Sequence, residues 1–289
     1  MKLILSRKGF DSEYGRVPSP IFEDGTLVSL PIPSASGRGR PLGDIASQVG
    51  PLAEVVSGLT RRKRIKIDAS TMIHLDPDLN RSSVRHRLEG WRPAFGQGSA
   101  AQSHLANQGV GIGDVFLFFG WFRRAERAGD GWRYLKDAPD IHCMFGWLQV
   151  GEVINVAELQ PIHYPKGLQE HPHFAFAKLM AHNNTIYVCA DSLFDGEAPG
   201  AGVFTHWSSH LQLTADGRSR SRWRLPAWMH PSSGLGPMSY HPSQSRWLLE
   251  DGHAYLESVA KGQEFVLDVG TSRKARNWVR KLIRHGVKA

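Results

Sequence analysis

The run Asp114-Val-Phe-Leu-Phe-Phe119 constrains the fold more than any other stretch of the chain. It is continuous in Val, Phe and Leu, which favour extended backbone, so it predicts the strongest β-strand. Lys2–Leu5 reads as a short buried strand that opens the fold, and Thr26–Leu30 as a second one stopped by Pro31 and Pro33. Phe145–Val156, Thr185–Ala190 and Glu264–Val269 are further strand-like runs, with a polar stretch from Arg123 to Asp140 set between two of them. Helices are expected over Pro51–Leu59, over Ser99–Gln108 with Ser99 as cap and Gly109 just past its end, and over Arg273–His285. In the last of these, Trp278, Val279, Leu282 and Ile283 form an apolar stripe at helical spacing that is expected to pack. Asp191–Ser245 is rich in Gly, Pro, Ser, His and Trp, which predicts long ordered loops with short strands. No repeat of fixed period is visible. The pattern predicts a single α+β domain over residues 1–289, built on a mainly antiparallel sheet with peripheral helices and long loops.

Composition narrows the function classes. Two cysteines, Cys143 and Cys189, exclude a disulfide framework and a four-thiolate zinc site. The opening Met1-Lys2-Leu3-Ile4-Leu5-Ser6-Arg7 is too short in apolar residues for a signal-peptide core, and no run is long enough for a membrane helix. A cytoplasmic protein without membrane contact is therefore expected. Lys plus Arg number 35 against 27 Asp plus Glu, a net +8. That excess favours polyanionic partners, a nucleotide or nucleic acid. The charge is patchy: Arg61–Lys66 is one run, Arg218, Arg220, Arg222 and Arg224 flank Trp223, and the C-terminal helix adds more. Arginine beside an aromatic ring is the combination that stacks a base while neutralising phosphate.

Three constellations carry candidate chemistry. In Ser6-Arg7-Lys8-Gly9-Phe10-Asp11-Ser12, the cations Arg7 and Lys8 with the Ser12 hydroxyl leave a strand as a phosphate-holding loop would, although the Walker spacing is absent. In His74-Leu-Asp76-Pro-Asp78, an extended backbone puts one imidazole and two carboxylates on one face. Such a set suits general acid–base work or a Mg²⁺ ion shared with a substrate phosphate. The competing local reading makes Asp76 a helix cap with Pro77 at the first helical position. In Phe95-Gly-Gln97-Gly-Ser99-Ala-Ala-Gln102, the amides can read a base edge and the glycines admit close approach. The 14 histidines, His171-Pro-His173 among them, show no recognised ligand spacing, so no metal site is expected from them.

Several of these stretches resemble the nucleotide modification associated domain 3 proteins. They are Leu3-Ile-Leu-Ser-Arg-Lys-Gly-Phe-Asp-Ser12, Pro18-Ser-Pro-Ile21, His74-Leu-Asp-Pro-Asp-Leu79, Phe95-Gly-Gln97 and Gly113-Asp-Val-Phe-Leu-Phe-Phe-Gly-Trp-Phe-Arg123. The resemblance implies association with DNA base-modification systems, without naming a reaction. Gly113–Ile154 is also similar to the core hairpin of the EVE and ASCH group of PUA-like barrels. That likeness implies a possible barrel core over 109–190, with Phe119, Trp121, Phe122 and Trp147 as stacking candidates; filling the barrel interior is the alternative use of these rings.

The leading expectation is an enzyme acting on a nucleotide or DNA base. Its candidate catalytic residues are Asp11, His74, Asp76 and Asp78, and its candidate substrate contacts are Arg7, Lys8, Ser12, Gln97, Phe119, Trp121 and Arg123. The alternatives are a non-catalytic reader of modified bases, which would use the same aromatic and basic surface, and a nucleic-acid-binding defence component.

Overall fold

A computed structural model describes residues 1–287 except Ala35, Arg62, Arg64, Asp130, Glu197 and Lys261. The basic run Arg61–Lys66 thus lies partly outside the described residues. The labelled elements, in chain order, are β1 (Lys2–Arg7), β2 (Ser19–Ile21), α1 (Leu52–Thr60), β3 (Ala94–Gln97), α2 (Ser99–Asn107), β4 (Val115–Ala128), β5 (Gly131–Tyr134) and β6 (Ile141–Asn155). They continue with α3 (Pro172–Ala175), β7 (Thr185–Cys189), β8 (Ala201–Val203), β9 (Arg222–Pro226), β10 (Trp247–Glu250), β11 (His253–Glu257), β12 (Glu264–Asp268) and α4 (Arg273–Gly286).

The Asp114–Phe119 run lies at the centre of the main sheet as the first half of β4. Strand side chains alternate between faces, so a run apolar at every position needs cover on both. Phe116 and Phe118 turn to Phe95 and Tyr187, whereas Phe119 turns to His142, Trp223 and Phe265. The sheet runs β12-β1-β4-β6-β7-β3, with β8 added to β6 and with β2 and β5 added to β4. Pairing is antiparallel except where β1 and β2 run parallel to β4. A three-stranded sheet, β9-β11-β10, covers the Phe119 face through Trp223. The fold is α+β, as the sequence predicts.

The main sheet is open but curled. No ladder joins β3 to β12 among the described residues, yet the Gln97 amide on β3 donates to Glu264 Oε1 on β12 at 2.7 Å. The sheet therefore draws on β1, β3 and β12 as well as on the strands within 109–190. β4 continues past Phe119 to Ala128 and turns back as β5, so the polar stretch expected from Arg123 is strand for its first half. Thr26–Leu30 is not a strand. Its groups make isolated bridges instead, and the Leu30 amide is taken by the Ser19 hydroxyl at 3.0 Å.

The helices fall where expected. In α2 the cap is Gly98 in place of Ser99, and Ser99 is held by Asn183, whose side chain accepts from its amide at 2.8 Å. In α4, Ser272 caps the start, and Val279 and Leu282 are buried. No helix among the described residues is long and apolar enough to cross a membrane.

Candidate functional site

Residues 74–78 run along the free edge of β3. Asp78 and Ala94 exchange both backbone hydrogen bonds, at 2.9 and 3.0 Å. Two residues further along β3, the Gly96 amide donates to the Asp76 carboxylate, Oδ1, at 2.9 Å. The side chain thus takes the place of a ladder carbonyl and is fixed at the sheet edge. No helix starts at Asp76; the Asp76–Pro77 peptide is cis, and the nearest helical turn, Arg81–Ser83, is capped by Asn80.

The short helix α3 brings two imidazoles to this carboxylate. His171 is its cap and accepts the His173 amide at Nδ1, 3.3 Å away, which leaves the proton on Nε2. His173 pairs through Nδ1 with the Asn184 side-chain oxygen, and Asn184 also donates to the His173 carbonyl at 2.8 Å. That partner holds the proton on Nδ1 and aims the Nε2 lone pair at Asp76. His173 lies against Gly96, where a methyl group would meet its ring at 2.3 Å. His171 Nε2 is 3.4 Å from Asp76 Oδ1, while His173 Nε2 and His74 Nε2 are 3.5 and 3.7 Å from Oδ2. Asp76, His171 and His173 are buried, and the His74 side chain is 28% exposed. Burial alone would raise the Asp76 pKa; protons presented by the surrounding imidazoles, that of His171 Nε2 first, oppose it and hold the carboxyl well below its usual range. The donor atoms of His74, Asp76 and His173 all lie within 4.8 Å of one another, a grouping able to hold a metal ion.

Two cavities flank the 75–78 segment. One, of about 290 Å³, is lined by Leu75, Asp78, Arg87, Trp91 and His171, with Arg40 at its wall. The other, of about 130 Å³, is lined by Asp76 and Pro77 together with Leu27, Val28, Leu79 and Phe145. Asp78 is fully engaged: both terminal nitrogens of Arg87 donate to it, and the Trp91 indole donates at 3.1 Å. The Arg87 guanidinium also stacks 4.4 Å from the Trp91 ring. Asp78 thus anchors a cation–aromatic pair at the cavity wall, while Asp76 faces the histidines.

The remaining candidates gather elsewhere. Lys8 is buried in an ion pair with Glu264 at 2.8 Å, shares that carboxylate with Gln97, and lies 4.7 Å from the Phe95 ring. Arg7 donates to the carbonyls of Ala260 and Val259 and sits over the rings of Phe119 and Phe265. Phe119 and Phe122 are wholly buried, and Trp147 is buried with its indole donating to the Pro199 carbonyl. Trp121 lies under Arg220 at 4.6 Å, and Arg123 donates to the carbonyls of Leu135 and Lys136. Asp11 closes a local turn by accepting from the amides of Glu13 and Tyr14, and Ser12 is exposed. The structure joins His74 and Asp76 with His171 and His173, which the sequence reading set aside, and gives no contact between Asp76 and the group around Arg7, Asp11 and Phe119. Arg87, Trp91 and Asn184 had no signal in the sequence. A signal for the histidines did exist, because His74-x-Asp76 and His171-x-His173 are both pairs at spacing two.

No curated protein and no solved structure matches the chain. One family model does, over residues 2–268, a span that runs from β1 through β12 and includes every residue of the Asp76 cluster. The chain belongs to the nucleotide modification associated domain 3 family.

Proposed function

We propose that the protein is a nucleotide- or base-processing enzyme whose reactive centre is the Asp76 cluster. The observation that carries this reading is a buried carboxylate ringed by three imidazoles beside two open cavities. A polar cluster of this kind is costly to bury and adds little that an apolar edge would not, so it points to chemistry. His74, whose side chain is 28% exposed, is the member that solvent reaches and so the one able to exchange a proton, and Asp76 fixes its orientation. The larger cavity offers the Arg40 guanidinium, which also pairs with Glu170, to a phosphate and the Trp91 ring to a base. These take over the role the sequence suggested for Arg7 and Lys8, which are committed to internal partners.

A second reading, a non-catalytic reader of modified bases, draws support from a different face. There Arg124 lies 4.8 Å from the Trp207 ring beside a cavity of about 220 Å³ that Arg218 also lines. One experiment separates the two. Plain DNA, modified DNA and free nucleotides are incubated with the protein and with divalent metal salts supplied one at a time. Nucleosides are then analysed by mass spectrometry, with binding recorded on the same samples. A mass change that disappears in Asp76→Asn supports the enzyme. Base-selective binding that weakens with salt, with no mass change in any sample, replaces it with the reader.

A further inference from the structure

We infer that His74, Asp76 and His173 form a binding site for a divalent transition-metal ion. The inference concerns the cluster of the proposed function, but it stands on its own geometry.

The separations decide first. His74 Nε2 and His173 Nε2 lie 3.7 and 3.5 Å from Asp76 Oδ2, beyond the ~2.7–3.2 Å of a nitrogen–oxygen hydrogen bond. Ligands held at about 2.1 Å from an ion are separated by roughly 3.0 Å in an octahedron and 3.4 Å in a tetrahedron. Both nitrogens are spaced from Oδ2 as neighbours on such a polyhedron, slightly expanded, and all three donors lie within 4.8 Å of one another.

The surroundings agree. Asn184 keeps the His173 proton on Nδ1, so that Nε2 offers a lone pair toward Asp76. Metal-ligating histidines depend on such a partner on the far nitrogen. The other oxygen of Asp76 accepts the Gly96 amide, which fixes the carboxylate and leaves Oδ2 as the donor. His171 supplies an independent sign. It is 5% exposed, its Nε2 has no hydrogen-bond partner, and that nitrogen is aimed at Asp76 Oδ1 from 3.4 Å. A buried N–H left short of its acceptor is costly. His171 is therefore a positioning residue and His74, Asp76 and His173 are the ligands.

Two imidazoles and one carboxylate select the ion class. Mg²⁺ and Ca²⁺ prefer all-oxygen surroundings, whereas this set suits Fe²⁺, Mn²⁺, Co²⁺ or Zn²⁺. Three protein ligands leave coordination positions open, as a reactive site requires and a structural one does not.

The test uses the full chain after chelator treatment and dialysis, titrated with Co²⁺ as an optical probe and with Zn²⁺ by calorimetry. A single ion per chain is expected, with Co²⁺ absorption bands in the visible and no displacement by excess Mg²⁺. Ligand loss in His74→Ala, at the exposed and least structural position, is expected to abolish the bands while the circular dichroism spectrum is unchanged. His171→Gln and Asn184→Ala are expected to weaken Zn²⁺ binding by about 10–100-fold, as supporting residues do. Folded wild-type protein that binds neither ion, or His74→Ala that binds as tightly as wild type, overturns the site. If nucleotides are processed and neither ion binds, the metal inference fails and the acid–base reading survives. If Co²⁺ binds at these residues and no nucleotide is processed, the reverse holds.

Discussion

At Gly96 a single methyl group separates two demands on the same residue. Its amide holds Asp76, and its missing side chain makes room for the His173 ring, with 2.3 Å between a built Cβ and the ring carbons. Gly96→Ala keeps the amide but displaces the ring, so His173 loses its pairing with Asn184. Overpacking of this kind costs about 1–3 kcal/mol. The expected result is a folded protein with a modestly lower melting temperature and strongly reduced Co²⁺ binding and turnover. Unchanged Co²⁺ binding in folded Gly96→Ala would show that the ring position does not matter. The sequence marked Gly96 as a place of close approach. What approaches is a histidine distant in sequence, a contact that local reading cannot supply. For the same reason His74-x-Asp76 was legible as a reactive pair and His171-x-His173 only as a second pair at the same spacing, because the two meet only once α3 docks on β3.

Among the elements, the two ends of the main sheet are tied by side chains. Lys8 and Gln97 both bond Glu264 Oε1, and so β3, β12 and the residue just after β1 meet at one carboxylate that is 1% exposed. Removing one member of a buried pair leaves the other uncompensated, at about 3–5 kcal/mol, whereas apolar replacement of both is close to neutral. Glu264→Ala is therefore expected to lower the urea midpoint sharply, and the double change Lys8→Met with Glu264→Leu to recover most of it. Equal loss in the single and double variants would remove the ion pair from the account. This tie was invisible in the sequence, which read Lys8 and Gln97 as ligand contacts, because a polar residue on an inward strand face looks the same whether a ligand or a carboxylate meets it. Continuous apolar runs gave β1, β4, β6, β7 and β12. The second half of β4 escaped because the buried Ala125 stands alone among the charged residues Arg123, Arg124, Glu126 and Arg127, which leaves no apolar pattern to read. β9 was hidden in the same way, its buried Trp223 and Leu225 alternating with Arg222 and Arg224.

For the molecule as a whole, the joints around the small sheet depend on neutral histidines. His142 on β6 accepts the Trp223 indole at Nδ1, 3.0 Å away, and joins the main sheet to the small one. His241 accepts the Val259 amide at Nε2, 3.1 Å away, and donates from Nδ1 to the Ser239 carbonyl, tying the segment before β10 to the one before β12. Each must keep one nitrogen unprotonated to do this. Burial holds the His142 pKa well below its usual value, with Arg7 and Arg220 adding to the effect. Burial likewise pushes His241 down to about 4; the Ser239 carbonyl opposes the shift, and Arg246 and Arg7 reinforce it. A folded-state pKa below the unfolded value means that the unfolded chain binds more protons between about pH 6.5 and pH 4, so stability rises with pH through that window and is lost on acidification. At ~1.4 kcal/mol per unit, His241 alone accounts for about 2 kcal/mol between about pH 7 and pH 5. Urea midpoints at those two pH values are expected to differ by at least that free energy. In His241→Gln, whose amide can keep one donor and one acceptor, the protein is less stable near neutrality but its pH slope is shallower. A wild-type midpoint that does not move between the two pH values would mean that these imidazoles are not the joints the geometry makes them, and an unchanged slope in His241→Gln would place the acid sensitivity elsewhere.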